Sequence, residues 1–348
     1  MTGTSLGKAI RVLIVEDAPT HGGPLTRGLQ RDGDIAVFGQ TSTGAAAIGL
    51  VSRENPDVII LGLSTSDGSG QYFIEQVMAY TPTPILVLSS RIADRHSPSA
   101  VDALVAGALD ALPVPGCWST ELETQLRHTV RQISKVQAIR HPRGGLAKIP
   151  RADTPKPGSG RQAVVALAAS TGGPKALATV LAGLRGLNAP VLVVQHLHPD
   201  FTGGLFDWMA RASALPVEIA THNTVARPGR VYLAPGRVHL RLAANLRLEL
   251  ATTPVMIHQP SADELFRSVA EQAGSAGVGV IMTGMGHDGA NGLLEIHRQR
   301  GQTLGQDQAS CAVFGMPQAA QRLGALTSLL PPEQLAAAIL RAVSLVRA

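Results

Sequence analysis

The 348-residue sequence has few aromatic side chains and only two cysteines. Phe, Trp and Tyr make up 3% of the chain, whereas hydrophobic residues make up 45%, so Ala, Val, Leu and Ile must form the core. Small aliphatic side chains of this kind are typical of helices that pack on a parallel sheet. Cys117 and Cys311 lack metal-ligand spacing and the neighbours of a reactive cysteine, so we predict free thiols in a reducing compartment.

The sequence also lacks a segment that could enter a membrane. No apolar run reaches the roughly 18–20 residues that a membrane-spanning helix requires. Residues 1–8 are polar and Gly-rich, and the apolar run that follows, Ile10–Val15, is too short for the core of a signal peptide. We therefore expect a cytoplasmic protein without membrane insertion.

The net charge of +5 does not come from a basic face on a folded domain. Residues 140–161 contain six basic residues and one acidic residue, which account for the whole excess. This segment is rich in proline and glycine and has no apolar periodicity, so it predicts a flexible basic linker at 139–160. The second half has no helix-turn-helix pattern and no basic helix, which argues against nucleic acid as a partner.

Both sides of the linker alternate short apolar runs with amphipathic segments. Five strand–helix steps in residues 9–138 predict a flavodoxin-like parallel sheet with helices on both faces, the last helix lying at 119–137. Residues 161–348 predict a doubly wound, mostly parallel α/β domain in which the runs between 231 and 250 form a β-hairpin insertion. The predicted strands are 10–15, 35–38, 58–61, 85–88, 108–112, 163–168, 191–195, 231–234, 238–242, 246–250 and 278–282.

Three predicted strands of the second half lead into loops with reactive side chains. Strand 163–168 leads to Ser170, strand 191–195 to His196, and strand 278–282 to Asp288. If these strands are parallel, the three loops share the sheet edge at which open α/β proteins bind ligands. A serine needs a base within reach, and the base needs a third group that orients it. We therefore predict a catalytic triad of these three residues.

The residues around Ser170 suit a nucleophile at a sharp strand-to-helix turn. Gly172 and Gly173 allow the backbone to turn, and Pro174 suits the first turn of a helix. The N–H groups at this helix start, from Thr171 onwards, and those of residues 284–286 are candidate donors to a developing oxyanion.

Two other kinds of site remain open for these loops. A Gly-rich turn can bind a dinucleotide, but the G-x-G-x-x-G spacing and the acidic residue expected about 20 positions later are both absent. His196, His198 and Asp200 could ligate a metal ion, but Pro199 interrupts them and their spacing matches no zinc motif. We expect that no metal ion or organic cofactor is required.

Five motifs of the second half resemble those of chemotaxis-type protein-glutamate methylesterases. They cover nearly all of this half in the family's order. The resemblance implies that Ser170 is the nucleophile, His196 the base and Asp288 the orienting acid, and that Met285 contributes a backbone N–H to the oxyanion hole. The motifs are Ala-Ser-Thr-Gly-Gly at 169–173, Gln195-His196 with Pro199 and Phe201-Thr202, Tyr-Leu-Ala-Pro-Gly at 232–236 followed by His239, residues 262–270, and Thr-Gly-Met-Gly-His-Asp-Gly at 283–289.

This resemblance implies hydrolysis of glutamate methyl esters on the cytoplasmic helices of chemoreceptors, with methanol as the product. Many members also deamidate receptor glutamines, and a histidine kinase or another signalling protein is an implied partner. Two alternatives remain open at this point. The second half could be a binding module with a vestigial triad, or a hydrolase of the same chemistry that acts outside chemotaxis.

The first half resembles the receiver domain that this family carries at its N-terminus. Residues 12–17 are similar to the first receiver strand with its acid pair, Glu16 and Asp17. Asp67-Gly68 fits the turn after the third strand, and Ser89 fits the switch hydroxyl.

The phosphorylation site of this receiver is incomplete in the sequence. Gly62 stands where the phosphoacceptor aspartate should follow strand 58–61, Val114 stands in place of the switch lysine, and Ala111 replaces an aromatic residue. An acceptor carboxylate both receives the phosphoryl group and helps to hold Mg²⁺, and glycine can do neither. We expect a receiver that folds but is not phosphorylated at the usual site.

Overall fold

The structure is a computed structural model that describes residues 9–16, 19–62, 70–89, 98–113, 118–136 and 162–347. The chain divides into two compact units, Met1–His141 and Pro142–Ala348. Each unit is built on a parallel sheet. The predictions for Asp17, Asp67, Val114, Cys117 and the linker at 139–160 lie outside the described residues, as does that for the side chain of Ser89.

The first unit contains a five-stranded parallel sheet in the order β2-β1-β3-β4-β5. This order confirms the flavodoxin-like prediction. The apolar runs of β1 and β3 are almost completely buried, as expected for strands covered by helices on both faces. The elements are β1 (Ile10–Val15), α1 (Pro19–Gln30), β2 (Ile35–Thr41), α2 (Gly44–Glu54), β3 (Val58–Gly62), α3 (Gly70–Tyr80), β4 (Ile85–Ser89), α4 (Pro98–Ala106), β5 (Asp110–Pro113) and α5 (Thr120–Ile133).

The carboxyl end of β3 carries no carboxylate at its last residue, Gly62. A Cβ added at Gly62 would lie 3.0 Å from Cγ of Glu16, so the Glu16 side chain occupies the adjacent space. Asp57 precedes β3 at the opposite end of the strand and accepts a hydrogen bond from the N–H of Arg11 at 2.7 Å. Asp57 is therefore not placed to replace the missing acceptor.

The second unit contains a seven-stranded sheet in the order β14-β13-β12-β6-β7-β9-β8, and every pair of neighbours is parallel. Strand β6 lies between β12 and β7, so the three strands that lead to the polar loops are parallel neighbours, which is the condition under which their loops share one sheet edge. The elements are β6 (Val164–Ala169), α6 (Gly173–Ala182), β7 (Val191–Gln195), α7 (Thr202–Ala212), β8 (Val217–Ile219), β9 (Val231–Leu233), β10 (His239–Ala243), β11 (Arg247–Ala251), α8 (Ala262–Ala273), β12 (Gly277–Ile281), α9 (Ala290–Arg298), β13 (Gln302–Gln306), α10 (Met316–Arg322), β14 (Ser328–Leu330) and α11 (Pro332–Arg347).

Strands β10 and β11 pair antiparallel and form the predicted β-hairpin. The prediction needs one correction, because the run at 231–234 is not part of this hairpin. It forms β9, which pairs in parallel with β7 in the large sheet. All three residues of β9 are buried, which is typical of a strand inside a sheet covered on both faces.

Helix α8 contacts both α9 and β10. Its apolar residues Leu265, Phe266 and Val269 are fully buried. Gly292 of α9 allows the two helices to approach closely, because a Cβ there would lie 2.5 Å from the carbonyl oxygen of Asp263. This packing fixes the first turn of α8. Among the described residues, no helix combines the length and apolar character needed to span a bilayer.

Candidate active site

Three polar loops follow β6, β7 and β12 at the same edge of the second sheet. Ser170 follows the last residue of β6, and His196 follows the last residue of β7. The N–H of His196 donates to the carbonyl of Ala169, and the N–H of Ser170 donates to the carbonyl of Thr283, both at 2.9 Å. The parallel register therefore brings the predicted serine and histidine loops side by side.

The imidazole of His196 pairs with the carboxylate of Asp288. Nε2 of His196 lies 2.8 Å from Oδ2 of Asp288, and the two side chains are only 6% and 8% exposed. Both ring nitrogens of His196 are buried and neither makes a hydrogen bond of regular geometry within the part of the chain that the structure describes. Nε2 meets the carboxylate at contact distance, whereas Nδ1 has no partner among the described residues, the hydroxyl of Ser170 included. An imidazole held by a carboxylate through one nitrogen keeps the other nitrogen for proton transfer.

The carboxylate of Asp288 lies at the N-terminus of α8. Its Oδ1 accepts hydrogen bonds from the hydroxyl of Ser261 at 2.9 Å and the N–H of Asp263 at 3.0 Å, and its Oδ2 accepts one from the N–H of Ala262 at 2.8 Å. Burial disfavours the ionised acid, but the hydrogen bond and charge of His196, and then the backbone donors, hold the pKa of Asp288 well below its usual range. The positive end of the helix favours the same charged form.

The loop after Ser170 has little room for side chains at its glycines. Gly172 has a φ of +75°, in the left-handed region, and a Cβ there would lie 2.4 Å from Cβ of Ala312. A Cβ at Gly173 would lie 2.0 Å from Oε1 of Gln195. Helix α6 begins at Gly173 with a proline in its first turn. The structure thus contains the sharp strand-to-helix turn predicted for this loop.

The loop at 283–289 packs directly against the Ser170 loop. Oγ1 of Thr283 donates to the carbonyl of Thr171 at 2.9 Å. A Cβ at Gly284 would lie 2.7 Å from Cβ of Ser170, and both the N–H and the carbonyl of Gly284 make backbone hydrogen bonds. Met285 directly follows Gly284, which packs against Ser170. The backbone N–H of Met285 therefore lies at the same edge of the sheet as the serine.

Gln195 links the two loops, although the sequence analysis assigned it no role. Its Nε2 donates to the carbonyl of Ser170 at 2.8 Å and to that of His196 at 2.9 Å. The residue is 5% exposed. A polar amide at the end of an otherwise apolar buried strand is the signal that indicates such a role, because buried amides require hydrogen-bond partners.

His258 is a second residue that the sequence analysis did not predict at this site. Its ring stacks on that of His196, with centroids 4.3 Å apart and planes 8° from parallel. The residue is exposed to solvent as a whole, but the protein packed around its ring partly desolvates the imidazole, and this, followed by the charge of His196, lowers the pKa of His258 to about 4. No local pattern marks this contact, because His258 lies between β11 and α8, far from His196 in the sequence.

The candidate metal ligands His198 and Asp200 and the predicted free thiol of Cys311 belong to the second unit, like the candidate active site. Nδ1 of His198 lies 3.6 Å from Oδ2 of Asp200, and burial lowers the pKa of His198, which favours the neutral imidazole. Within the described ranges, no group of three His, Cys, Asp or Glu residues is arranged to hold a metal ion. Cys311 is a buried free thiol, as predicted, and burial raises the pKa of that thiol.

Comparisons with known proteins place both units among described families. The profile of the CheB methylesterase family matches residues 165–339, and that of the response regulator receiver domain matches residues 12–116. The crystal structure of the Thermotoga maritima CheB methylesterase catalytic domain is similar to this chain with a TM-score of 0.50 and 32% identity. The similar region covers 52% of this chain and 98% of the Thermotoga maritima chain.

Two relatives are similar over nearly their whole lengths. Protein-glutamate methylesterase/protein-glutamine glutaminase 3 of Anaeromyxobacter dehalogenans is 41% identical over 334 residues, which cover 94% of this chain and 97% of the relative. Protein-glutamate methylesterase/protein-glutamine glutaminase of Agrobacterium fabrum is 37% identical over 341 residues, which cover 95% and 96%.

Replacing Gln195 with leucine should slow reactions at Ser170. The change removes the amide donor from the carbonyls of Ser170 and His196, and among the described residues only the Ser170 carbonyl keeps another donor, the N–H of Gly173. The loss of the link costs about 1–3 kcal/mol of stability and loosens the contact between the two loops. We expect the rate at which a fluorophosphonate labels Ser170 to fall by about 10²-fold, since small displacements at a reacting centre have effects of that order. Gln162→Leu is the matched control, because the hydrogen bond that Gln162 donates to the carbonyl of Asn188 is exposed and lies outside this edge. Labelling of Gln195→Leu at the wild-type rate would contradict this role.

Acid should destabilise the folded chain through His258. As the pH falls through 6.5, the unfolded chain takes up a proton at His258, whereas the folded chain does not until about pH 4. The unfolded state therefore binds more protons in this window, and stability falls as the pH falls. His258→Phe keeps a ring for the stack but removes the titration. We expect calorimetry to show a smaller drop in thermal midpoint for His258→Phe than for wild type between these two pH values.

The comparison between variant and wild type cancels the contributions of other groups. Asp110 acts in the opposite direction, because burial raises its pKa to about 6. His128→Phe, at an exposed position of α5, serves as the control and should retain the wild-type pH dependence. An equal dependence in His258→Phe and wild type would show that the stack does not shift this titration.

Proposed function

The chain belongs to the CheB methylesterase family, and we propose on this basis that it hydrolyses the methyl esters of glutamate side chains on chemoreceptors. The observation that carries the proposal is the buried His196–Asp288 pair, 2.8 Å apart, in loops packed against Ser170. An imidazole that is paired with a carboxylate, in a loop next to that of a serine, is the arrangement from which a hydroxyl is activated as a nucleophile. The products are a glutamate carboxylate and methanol.

In the first step, Oγ of Ser170 attacks the carbonyl carbon of the ester and transfers its proton to Nδ1 of His196. This is the imidazole nitrogen that does not face the carboxylate. Asp288 fixes the orientation of the ring and stabilises the imidazolium, and it stays ionised throughout because its pKa is low.

The tetrahedral intermediate places negative charge on the former carbonyl oxygen. We assign the N–H of Met285, together with those of Thr171 and Gly172, as donors to this oxyanion. The N–H of Gly173 instead donates to the carbonyl of Ser170 at 2.8 Å and supports the turn that holds these donors. Preorganised donors of this kind are effective because they need no rearrangement as the charge develops. The tight packing at the glycines supports this assignment.

Collapse of the intermediate breaks the bond to the methoxy group, which takes the proton from His196 and leaves as methanol. A water molecule then attacks the acyl-enzyme and gives a proton to His196. The second intermediate then breaks its bond to Oγ of Ser170, which takes the proton from His196. The glutamate side chain leaves as a carboxylic acid and loses its remaining proton to water to give the carboxylate. A glutamine substrate follows the same steps with ammonia as the leaving group, which accounts for deamidation by the same site.

The proposed domain arrangement is a receiver-like domain at 9–138, a flexible basic linker at 139–160 and a catalytic domain at 161–348. We place the protein in the cytoplasm, where it acts on the methylated helices of chemoreceptors. A histidine kinase or another signalling protein is a further partner in this proposal. The two alternative hypotheses are a binding module without catalysis and a hydrolase that acts outside chemotaxis. The next experiment distinguishes both from the proposed function.

Incubation with methylated chemoreceptor membranes should release methanol in a reaction that depends on Ser170. Loss of the nucleophile of a triad lowers turnover by about 10⁴-fold or more, so Ser170→Ala should show no detectable release. Methanol is quantified by gas chromatography over time. Ser344→Ala, which removes an exposed hydroxyl on α11, is the matched control and should match wild type.

Each other outcome of this experiment favours a different reading. Release that persists in Ser170→Ala would remove Ser170 from the proposed role. Absence of methanol together with normal fluorophosphonate labelling would favour a hydrolase of another ester. Absence of both would favour the binding module.

The degenerate receiver predicts that a small-molecule phosphodonor has no effect on the wild-type protein. Because Gly62 supplies no carboxylate, we expect no phosphoryl adduct by mass spectrometry and no change in the rate of methanol release. Gly62→Asp restores a carboxylate at the end of β3 and is the comparison variant. A phosphoryl adduct on residues 9–138 of the wild type, or its activation by the donor, would refute the prediction.

A further inference from the structure

The segment at 252–260, between the hairpin and α8, carries an exposed apolar tip. Val255 is 86% exposed and Ile257 is 96% exposed, the highest values among the large hydrophobic side chains that the structure describes. Side chains in this position contribute almost nothing to the core, since burial is what makes an apolar group stabilising. The segment contains no charged residue. Its tip therefore suits an apolar partner rather than a charged one.

The base of this segment is held firmly on both sides. His239 is fully buried, and its Nε2 donates to the carbonyl of Pro254 at 2.8 Å while its Nδ1 accepts from the N–H of Ser261 at 3.1 Å. Nε2 of Gln259 donates to the carbonyl of Thr252 at 2.9 Å. The loop that carries the apolar tip is therefore anchored by hydrogen bonds at both of its ends.

The tip adjoins the candidate active site through one residue. His258 stacks on His196, and Ile257 directly precedes His258. Consecutive Cα atoms are about 3.8 Å apart, so Ile257 lies at the rim of the site. Val255 is two residues further along, within about 7 Å at full extension. The distance between the Val255 and Ile257 Cα atoms is therefore similar to the distance of about 5–6 Å between the Cβ atoms of two residues one turn apart on a helix.

We infer that Val255 and Ile257 dock the helix that carries the substrate ester. This inference rests on the proposed function and names the surface through which that function selects its substrate. An ester on a helix reaches Ser170 only if the helix backbone is held across the rim. An amphipathic helix offers apolar side chains one turn apart, and the uncharged tip matches such a row. The occupant is therefore the apolar stripe beside the esterified glutamate.

The test compares the full chain with Val255→Ser/Ile257→Ser in two assays. Methanol release is measured against increasing concentrations of methylated chemoreceptor membranes, and fluorophosphonate labelling measures the competence of Ser170 alone. We expect KM for the receptor to rise about tenfold, as follows from losing two apolar contacts, while kcat and the labelling rate stay within about twofold of wild type. Val225→Ser/Leu323→Ser removes the same number of apolar carbons at two other exposed positions and should match wild type.

Three results would overturn the inference. An unchanged KM would show that the tip does not contact the receptor. A slower labelling rate would show that the tip supports the geometry of the serine rather than docking. A faster labelling rate would show that another part of this chain, or a second copy, covers the site through the tip. If the wild type itself releases no methanol, the proposed function has failed. If the wild type releases methanol and Val255→Ser/Ile257→Ser does so with the same KM, the docking inference alone has failed.

Discussion

The carboxylate of Asp288 connects three parts of the second unit that are distant in the sequence. It accepts three hydrogen bonds at the start of α8 and pairs with the imidazole that follows β7. A buried carboxylate is costly unless donors of this kind surround it, so these parts are stable only in their assembled arrangement. The hairpin contributes to the same assembly, because Arg241 pairs with Glu264 in the first turn of α8 and His239 binds the N–H of Ser261.

The first unit shows that a fold and its usual chemistry have separate requirements. The parallel sheet depends on buried apolar runs in its strands, and these are intact. Phosphorylation of a receiver depends on a carboxylate after the third strand, whereas β3 ends here at Gly62, which carries no side chain. A parallel sheet can therefore form without a carboxylate at this position, because the core and the loop are under different physical constraints.

The sequence predicted best the features that depend on local apolar patterns. Strands β6, β7 and β12 are continuous apolar runs, and the loops after them follow from the rule for parallel sheets. Strands β8 and β14 were not predicted because each has only three residues. Strand β13 was not predicted because it begins and ends with a glutamine, Gln302 and Gln306. The roles of Gln195 and His258 arise from contacts between distant segments. Periodicity along the chain contains no information about such contacts.

The low pKa of Asp288 has a consequence for how the site can be controlled. The acid remains ionised well below any pH at which a cell operates, so its charge is a constant of the folded protein. A control mechanism that works by protonating this residue is excluded. Regulation that acts through Asp288 has to be mechanical, either by moving the start of α8 or by separating the loop at 283–289 from the imidazole.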